Sequence, residues 1–166
     1  EKYDIKATFF AIGANIDNYE GPLLEVSKAG HEIGNHTNSH SHLKSMPLEK
    51  ICFEIEECER KVEKLTGKTT RLLRPPCGMY DDNLIEIANK KEYKIILWNI
   101  DTHDWAHCDA DTMTKNVIKN VKGGDIILFH DYISGRNDTV QALDRIIPVL
   151  KSKGYEFVTI SELLEK

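Results

Sequence analysis

Asp125-Ile126-Ile127-Leu128-Phe129-His130 holds four consecutive apolar residues and closes on a histidine. A half-buried strand alternates apolar and polar side chains. An unbroken apolar run of this length reads instead as a strand covered on both faces, the usual condition of a parallel sheet. The run at 94–100 (KIILWNI) has the same character and is followed by Asp101. Between the two, Asp111-Thr112 opens a helical pattern through Met113, Val117 and Val121, which Gly123-Gly124 closes.

The same alternation extends in both directions. Upstream, strands are expected over 6–12, 32–35 and 71–74. Helices are expected from Gly21-Pro22 to Gly30, from Pro47 to Gly67, and from Asp81-Asp82 through Leu84, Ile85 and Ala88. The helix after Pro47 carries Ile51, Ile55, Cys58, Val62 and Leu65 on one stripe. Downstream, a helix over about 139–153 should kink at Pro148, a strand should occupy 157–160, and Ser161 should cap a last short helix. Strands alternating with helices imply parallel pairing with right-handed crossovers, in a doubly wound sheet or a barrel. No repeat, low-complexity tract or linker interrupts residues 1–166, which read as one domain.

Polar residues collect at the strand ends. His36 follows one strand, Arg74 ends another, Asp101 follows a third and His130 closes a fourth. Parallel α/β folds gather their active sites at the C-terminal ends of their strands. Gly34-Asn35-His36-Thr37-Asn38-Ser39-His40-Ser41-His42 places three of the seven histidines in nine residues. His36 and His40 are spaced to bring two imidazoles to one side, within reach of one cation. His42 points elsewhere in most geometries and is left outside the metal shell. In Arg74-Pro75-Pro76-Cys77-Gly78 two prolines stiffen the backbone behind an arginine and a turn glycine.

Composition excludes several classes. The net charge is −5 with Lys and Arg scattered, which argues against a nucleic-acid partner. No apolar run is long enough to span a membrane, and no signal-peptide pattern is visible. Cys52, Cys58, Cys77 and Cys108 form no Cys-x-x-Cys pair and read as free thiols.

Taken together, Thr8-Phe9-Phe10, His36-Thr37-Asn38-Ser39-His40, Arg74-Pro75-Pro76-Cys77-Gly78, Asp101-Thr102-His103-Asp104-Trp105 and Ile127-Leu128-Phe129-His130-Asp131 resemble the polysaccharide deacetylase (NodB homology) family, carbohydrate esterase family 4. The resemblance covers essentially the whole chain. It implies a distorted (β/α) barrel and a hydrolase acting on carbon–nitrogen bonds other than peptide bonds. The implied substrate is an acetylated polysaccharide: N-acetylglucosamine units of peptidoglycan or chitin, or O-acetylated xylan. His36 and His40 would be metal ligands, for zinc first, with cobalt and manganese also compatible. Arg74 would orient the catalytic base, and the Cys77 N–H would bind the oxyanion. Asp101 would pair with His130, the general acid. Trp105 and Leu128 would line the acetyl pocket. The family's habitat implies an extracellular or cell-surface location.

The resemblance also marks departures. The family's Thr-Phe-Asp-Asp-Gly motif, which supplies the base and the third metal ligand, does not occur in these residues. It is expected upstream of Glu1, since Glu1 to Asp4 matches the end of the helix that follows it. The domain then lacks its first strand and helix, and these residues alone should bind metal weakly and hydrolyse little. Ser41 replaces a usual Pro and Cys77 a usual aromatic residue. Two other readings stay open: a non-catalytic carbohydrate- or metal-binding domain on the same scaffold, and a small-molecule amidase of the same fold.

Overall fold

The computed structural model describes residues 2–131 and 137–166. Its contacts group into two compact units, Lys6–Leu97 and Glu1–Ile5 with Trp98–Lys166. Glu1 itself lies outside the described residues; Lys2 and Tyr3 form a turn rather than the expected end of a helix.

The unit Lys6–Leu97 holds a four-stranded sheet, β1 (Thr8–Ala11), β2 (Glu32–Asn35), β3 (Leu72–Leu73) and β4 (Lys94–Ile95), in that spatial order. Every pairing is parallel, as the alternation predicts, with Phe10 opposite Gly34 and Asn35 opposite Leu73. The connections are α1 (Gly13–Ile16), α2 (Glu20–Lys28), α3 (Leu48–Thr66) and α4 (Asp82–Lys90). α3 is the main support. Its predicted stripe places Ile51, Ile55, Cys58 and Val62 in the core, and Glu54 is buried with them. Gly67 ends it in the left-handed conformation at φ 69°, where glycine has no Cβ penalty. Asp81 caps α4 by accepting from the Leu84 N–H. Leu43, Ile51, Ile55, Leu73, Leu84 and Tyr93 form one core cluster. Each such aliphatic side chain contributes about 1.5–3 kcal/mol by leaving water.

The second unit pairs β5 (Ile100–Asp101) with β6 (Ile127–Leu128), again in parallel. α5 (Ala110–Asn120) and α6 (Asp138–Ser152) pack around Met113, Val117, Ala142, Ile146 and Leu150. α7 (Ile160–Leu164) closes the chain. Among the described residues no helix is long and apolar enough to cross a membrane.

Several sequence expectations are corrected here. The run at 94–100 is not one strand: β4 ends at Ile95 and β5 starts at Ile100. The carbonyls of Ile96 and Leu97 accept from the Arg74 side chain, not from a neighbouring strand. Residues 157–160 form no strand. Phe157 packs on the core, and Thr159, not Ser161, caps the last helix in a reciprocal capping box with Glu162. Asp109 caps α5 by accepting from the Thr112 N–H, two residues before the expected start. α6 spans Pro148 as expected, and the missing N–H frees the Asp144 carbonyl, to which the Tyr3 hydroxyl donates at 3.2 Å. The short helix α1 had no predicted counterpart.

Candidate functional site

The histidine loop leaves β2 as predicted. The buried side chain of Asn35 donates to the Ile55 carbonyl at 2.8 Å and accepts from the Thr37 N–H at 2.9 Å. Strand end and helix α3 are thereby joined just before His36. Thr37 and His40 both have positive φ, 66° and 57°. For a β-branched residue that is a strained conformation, kept only where neighbours fix it. Here the Gly13 and Ala14 N–H groups donate to the Thr37 and Asn38 carbonyls at 3.0 and 2.7 Å. The Thr37 hydroxyl accepts from the His40 N–H at 3.1 Å.

The result is a close imidazole pair. The ring centroids of His36 and His40 are 4.8 Å apart, at an interplanar angle of 73°. His36 Nδ1 lies 2.6 Å from the Arg74 carbonyl oxygen. A carbonyl only accepts, so Nδ1 carries the proton, the arrangement found in a histidine that ligates through Nε2. This donor chemistry fits a divalent cation with two nitrogen ligands. Among the described residues no third His, Cys, Asp or Glu stands with them.

Arg74 is buried at the end of β3. Its guanidinium lies 4.1 Å from the Phe10 ring centroid, and Nε and Nη2 approach the Ile96 and Leu97 carbonyls at 3.4 and 3.3 Å. Burial pulls its pKa down to about 10, which leaves it cationic at neutral pH. Phe10 reaches Arg74 only because Gly34 stands opposite: a Cβ there would lie 2.4 Å from Phe10 Cε1. Cys77 sits in the tight turn Pro76–Gly78 at φ 55°, its side chain exposed. That turn accounts for the two prolines and Gly78, which accepts φ 67° without strain.

The second unit corrects the pairing of His130. Asp104, not Asp101, holds it. Asp104 Oδ1 is 2.7 Å from His130 Nδ1, and Oδ2 accepts from the His130 backbone N–H at 2.6 Å. Oδ1 also accepts from the Trp105 N–H at 2.9 Å, and Oδ2 from the Thr139 hydroxyl at 3.2 Å. The Asp104 side chain is 0% exposed, that of His130 42%. Burial alone would push the Asp104 carboxyl up; the hydrogen bonds from His130 and Trp105 outweigh it and hold the group below its ordinary range. The hydrogen bond to Asp104 raises His130 above its ordinary value, against partial burial.

Asp101 has a different task. Its Oδ1 accepts from the His103 N–H at 2.8 Å and from the Trp105 indole Nε1 at 3.3 Å. It therefore ties down the exposed Trp105 ring, next to His103 at 6.0 Å between centroids. The strand register explains the misreading: Asp101 pairs with Leu128, so a residue reaching His130 must come from the turn beyond β5, where Asp104 lies. Leu128 is buried in β6, and its carbonyl accepts from the Thr102 hydroxyl at 2.8 Å. The sequence motif contains Asp104 without assigning it to His130, and Asn35, Thr37 and Glu54 carry no expected role. The sequence signal for Asp104 was its place directly before Trp105 in the turn; a charged Glu54 inside an apolar stripe was the other.

The unit Lys6–Leu97 thus carries an oriented histidine pair on its parallel sheet, and the unit with Trp98–Lys166 a carboxylate-held histidine. The family model for polysaccharide deacetylase matches residues 1–96. A peptidoglycan-N-acetylglucosamine deacetylase of Bacillus cereus is 40% identical over 98% of this chain and 77% of its own length. Another, from Listeria monocytogenes, is 32% identical over 98% of this chain, which spans only 34% of that relative. A crystal structure of a peptidoglycan N-acetylglucosamine deacetylase bound to 4-naphthalen-1-yl-N-oxidanyl-benzamide superposes with a TM-score of 0.94 at 36% identity, over 98% of this chain and 76% of that one. An acetyl xylan esterase from Clostridium thermocellum in complex with a cobalt ion gives 0.89 at 34%, over 99% and 79%. A CE4 family pseudoenzyme from Bacillus anthracis gives 0.91 at 31%, over 98% and 57%. The chain belongs to the polysaccharide deacetylase family, and its fold is the family's α/β fold.

Proposed function

We propose that this chain is the greater part of a metal-dependent polysaccharide deacetylase that hydrolyses acetyl groups from N-acetylglucosamine units of peptidoglycan, with chitin and acetylated xylan as related substrates. The observation that carries this reading is the His36–His40 pair, with His36 Nδ1 anchored on the Arg74 carbonyl. His36 and His40 would hold the cation: zinc suits nitrogen ligands, and cobalt and manganese accept the same donors. A divalent cation there would polarise the acetyl carbonyl and acidify water.

His130 supplies the proton. The hydrogen bond to Asp104 raises its pKa and so favours the cation, which passes its proton to the departing sugar amine. The Cys77 N–H, in its rigid turn, serves as a donor to the oxyanion. Trp105, steadied by Asp101, offers an aromatic face to the substrate. Arg74 stays cationic and would orient the base. The base itself is assigned to the family's Asp-Asp motif, which these residues do not carry. A polymer of the wall implies that the protein works at the cell surface or outside.

A second reading, a non-catalytic binding domain, draws on two observations: no third metal donor stands with the histidines among the described residues, and one structural relative is a pseudoenzyme. Acetate release decides. The protein at its full natural length, supplied with zinc or cobalt, should release acetate from acetylated chitooligosaccharide, and His36→Ala/His40→Ala should abolish release. Metal binding without acetate release would support the binding-domain reading.

A further inference from the structure

We propose that Glu54 is a positioning residue for the metal ligands, acting through Ser39. The inference rests on the assignment of His36 and His40 as ligands and goes beyond it. Glu54 lies on α3 with 8% of its surface exposed, among Ile51, Ile55 and Cys58. A buried carboxylate is costly unless its oxygens are satisfied. Both are, and both by one residue: Ser39 donates its N–H to Oε2 at 2.7 Å and its hydroxyl to Oε1 at 2.7 Å. The Ser39 oxygen also stands 2.7 Å from the Ser41 hydroxyl.

Ser39 lies between the two ligands in sequence and directly before His40. Its neighbours Thr37 and His40 carry the positive φ values that turn the chain back. Left-handed conformations at two non-glycine residues are strained, and such strain persists only where the surroundings over-determine it. The fork from Glu54 is the clamp at the C-terminal side of the loop; Asn35 and the Gly13 and Ala14 amides hold the other side. The clamp fixes where His40 sits relative to His36, and hence the bite of the pair on a cation. Its effect is geometric: a glutamine can accept the Ser39 N–H through its oxygen and donate to the Ser39 hydroxyl through its amide, with no charge at all. An aspartate keeps the charge but withdraws the fork by one methylene.

The test is cobalt binding, followed by visible absorption on the protein at its full natural length, for Glu54→Gln, Glu54→Asp and Glu54→Ala. Glu54→Gln should bind within about threefold of the parent, because its hydrogen-bond pattern survives. Glu54→Asp and Glu54→Ala should bind at least about tenfold more weakly, a loss of about 1.4 kcal/mol. The Gln–Asp comparison is decisive even where Glu54→Ala does not fold. Glu54→Asp binding as the parent does, or Glu54→Gln as weak as Glu54→Ala, overturns the proposal: the first removes the clamp's role, the second makes it one of charge. His36→Ala/His40→Ala is the separate control. If that double variant still binds cobalt normally, the ligand assignment fails instead. A metal-free readout is the Ser39 amide proton resonance, which should move sharply upfield in Glu54→Ala and little in Glu54→Gln.

Discussion

Replacing Asp104 by asparagine tests the carboxylate–imidazole contact of the second unit. The carboxylate accepts four hydrogen bonds, from His130 Nδ1, the His130 and Trp105 backbone amides and the Thr139 hydroxyl. The substituted amide would retain one acceptor oxygen and lose the charge. A hydrogen bond to a charged partner contributes about 1.5–3 kcal/mol. The His130 imidazole is 42% exposed, so solvent screening reduces that to about 1–2 kcal/mol. The sign follows from the two groups. Asp104 is held below its ordinary value, so its contribution is present above the unfolded carboxyl pKa of about 4 and is lost as pH falls through the folded value. His130 is held above its ordinary value, so its contribution is complete below about 6.5 and is lost as pH rises through the folded value. The variant should therefore be most destabilised between about pH 4 and 6.5, with a smaller deficit in alkali. Urea unfolding at about pH 5.5 and about pH 9 measures this on either side of the histidine transition, and an NMR titration of the His130 ring should show its pKa falling. A deficit that is the same at both pH values, or a His130 pKa that falls in Asp101→Asn but not in Asp104→Asn, would refute the pairing.

Other consequences are simpler to state. Gly34→Ala places a Cβ against Phe10 and should cost about 1–3 kcal/mol in unfolding free energy, because the ring under Arg74 must move. Asp101→Ala frees the Trp105 indole N–H; its resonance, one of two tryptophan indoles, should shift while the His130 ring pKa drops only slightly. The Cys58 thiol, pushed up to about 11 by burial, should resist alkylation in the native protein, whereas exposed Cys77 should label readily.

Elements whose stability comes from their own pattern were legible in the sequence. α3 shows its stripe, its Pro start and its Gly stop, and the parallel character of the sheet followed from the apolar runs around Ile95 and Ile127. The histidine loop was readable because a strand, a spacing and a polar tract coincide. What could not be read depends on partners distant in sequence. The break after β4 exists because Arg74 takes the carbonyls of Ile96 and Leu97. Asp101 and Asp104 are equivalent on paper; only the β5–β6 register and the following turn decide which of them meets His130. Phe157 and Val158 look like strand residues, yet Phe157 meets its burial by packing on the α5–α6 core and joins no ladder.

In the proposed reaction His130, its cation favoured by Asp104, is the acid of the deacetylation. The direct measurement is the pH dependence of acetate release set beside the NMR titration of His130, for the parent protein and Asp104→Asn. Activity should fall in alkali as the His130 ring loses its proton, and the variant should move both curves to lower pH together. A falling limb that stays in place while the His130 pKa drops would contradict it.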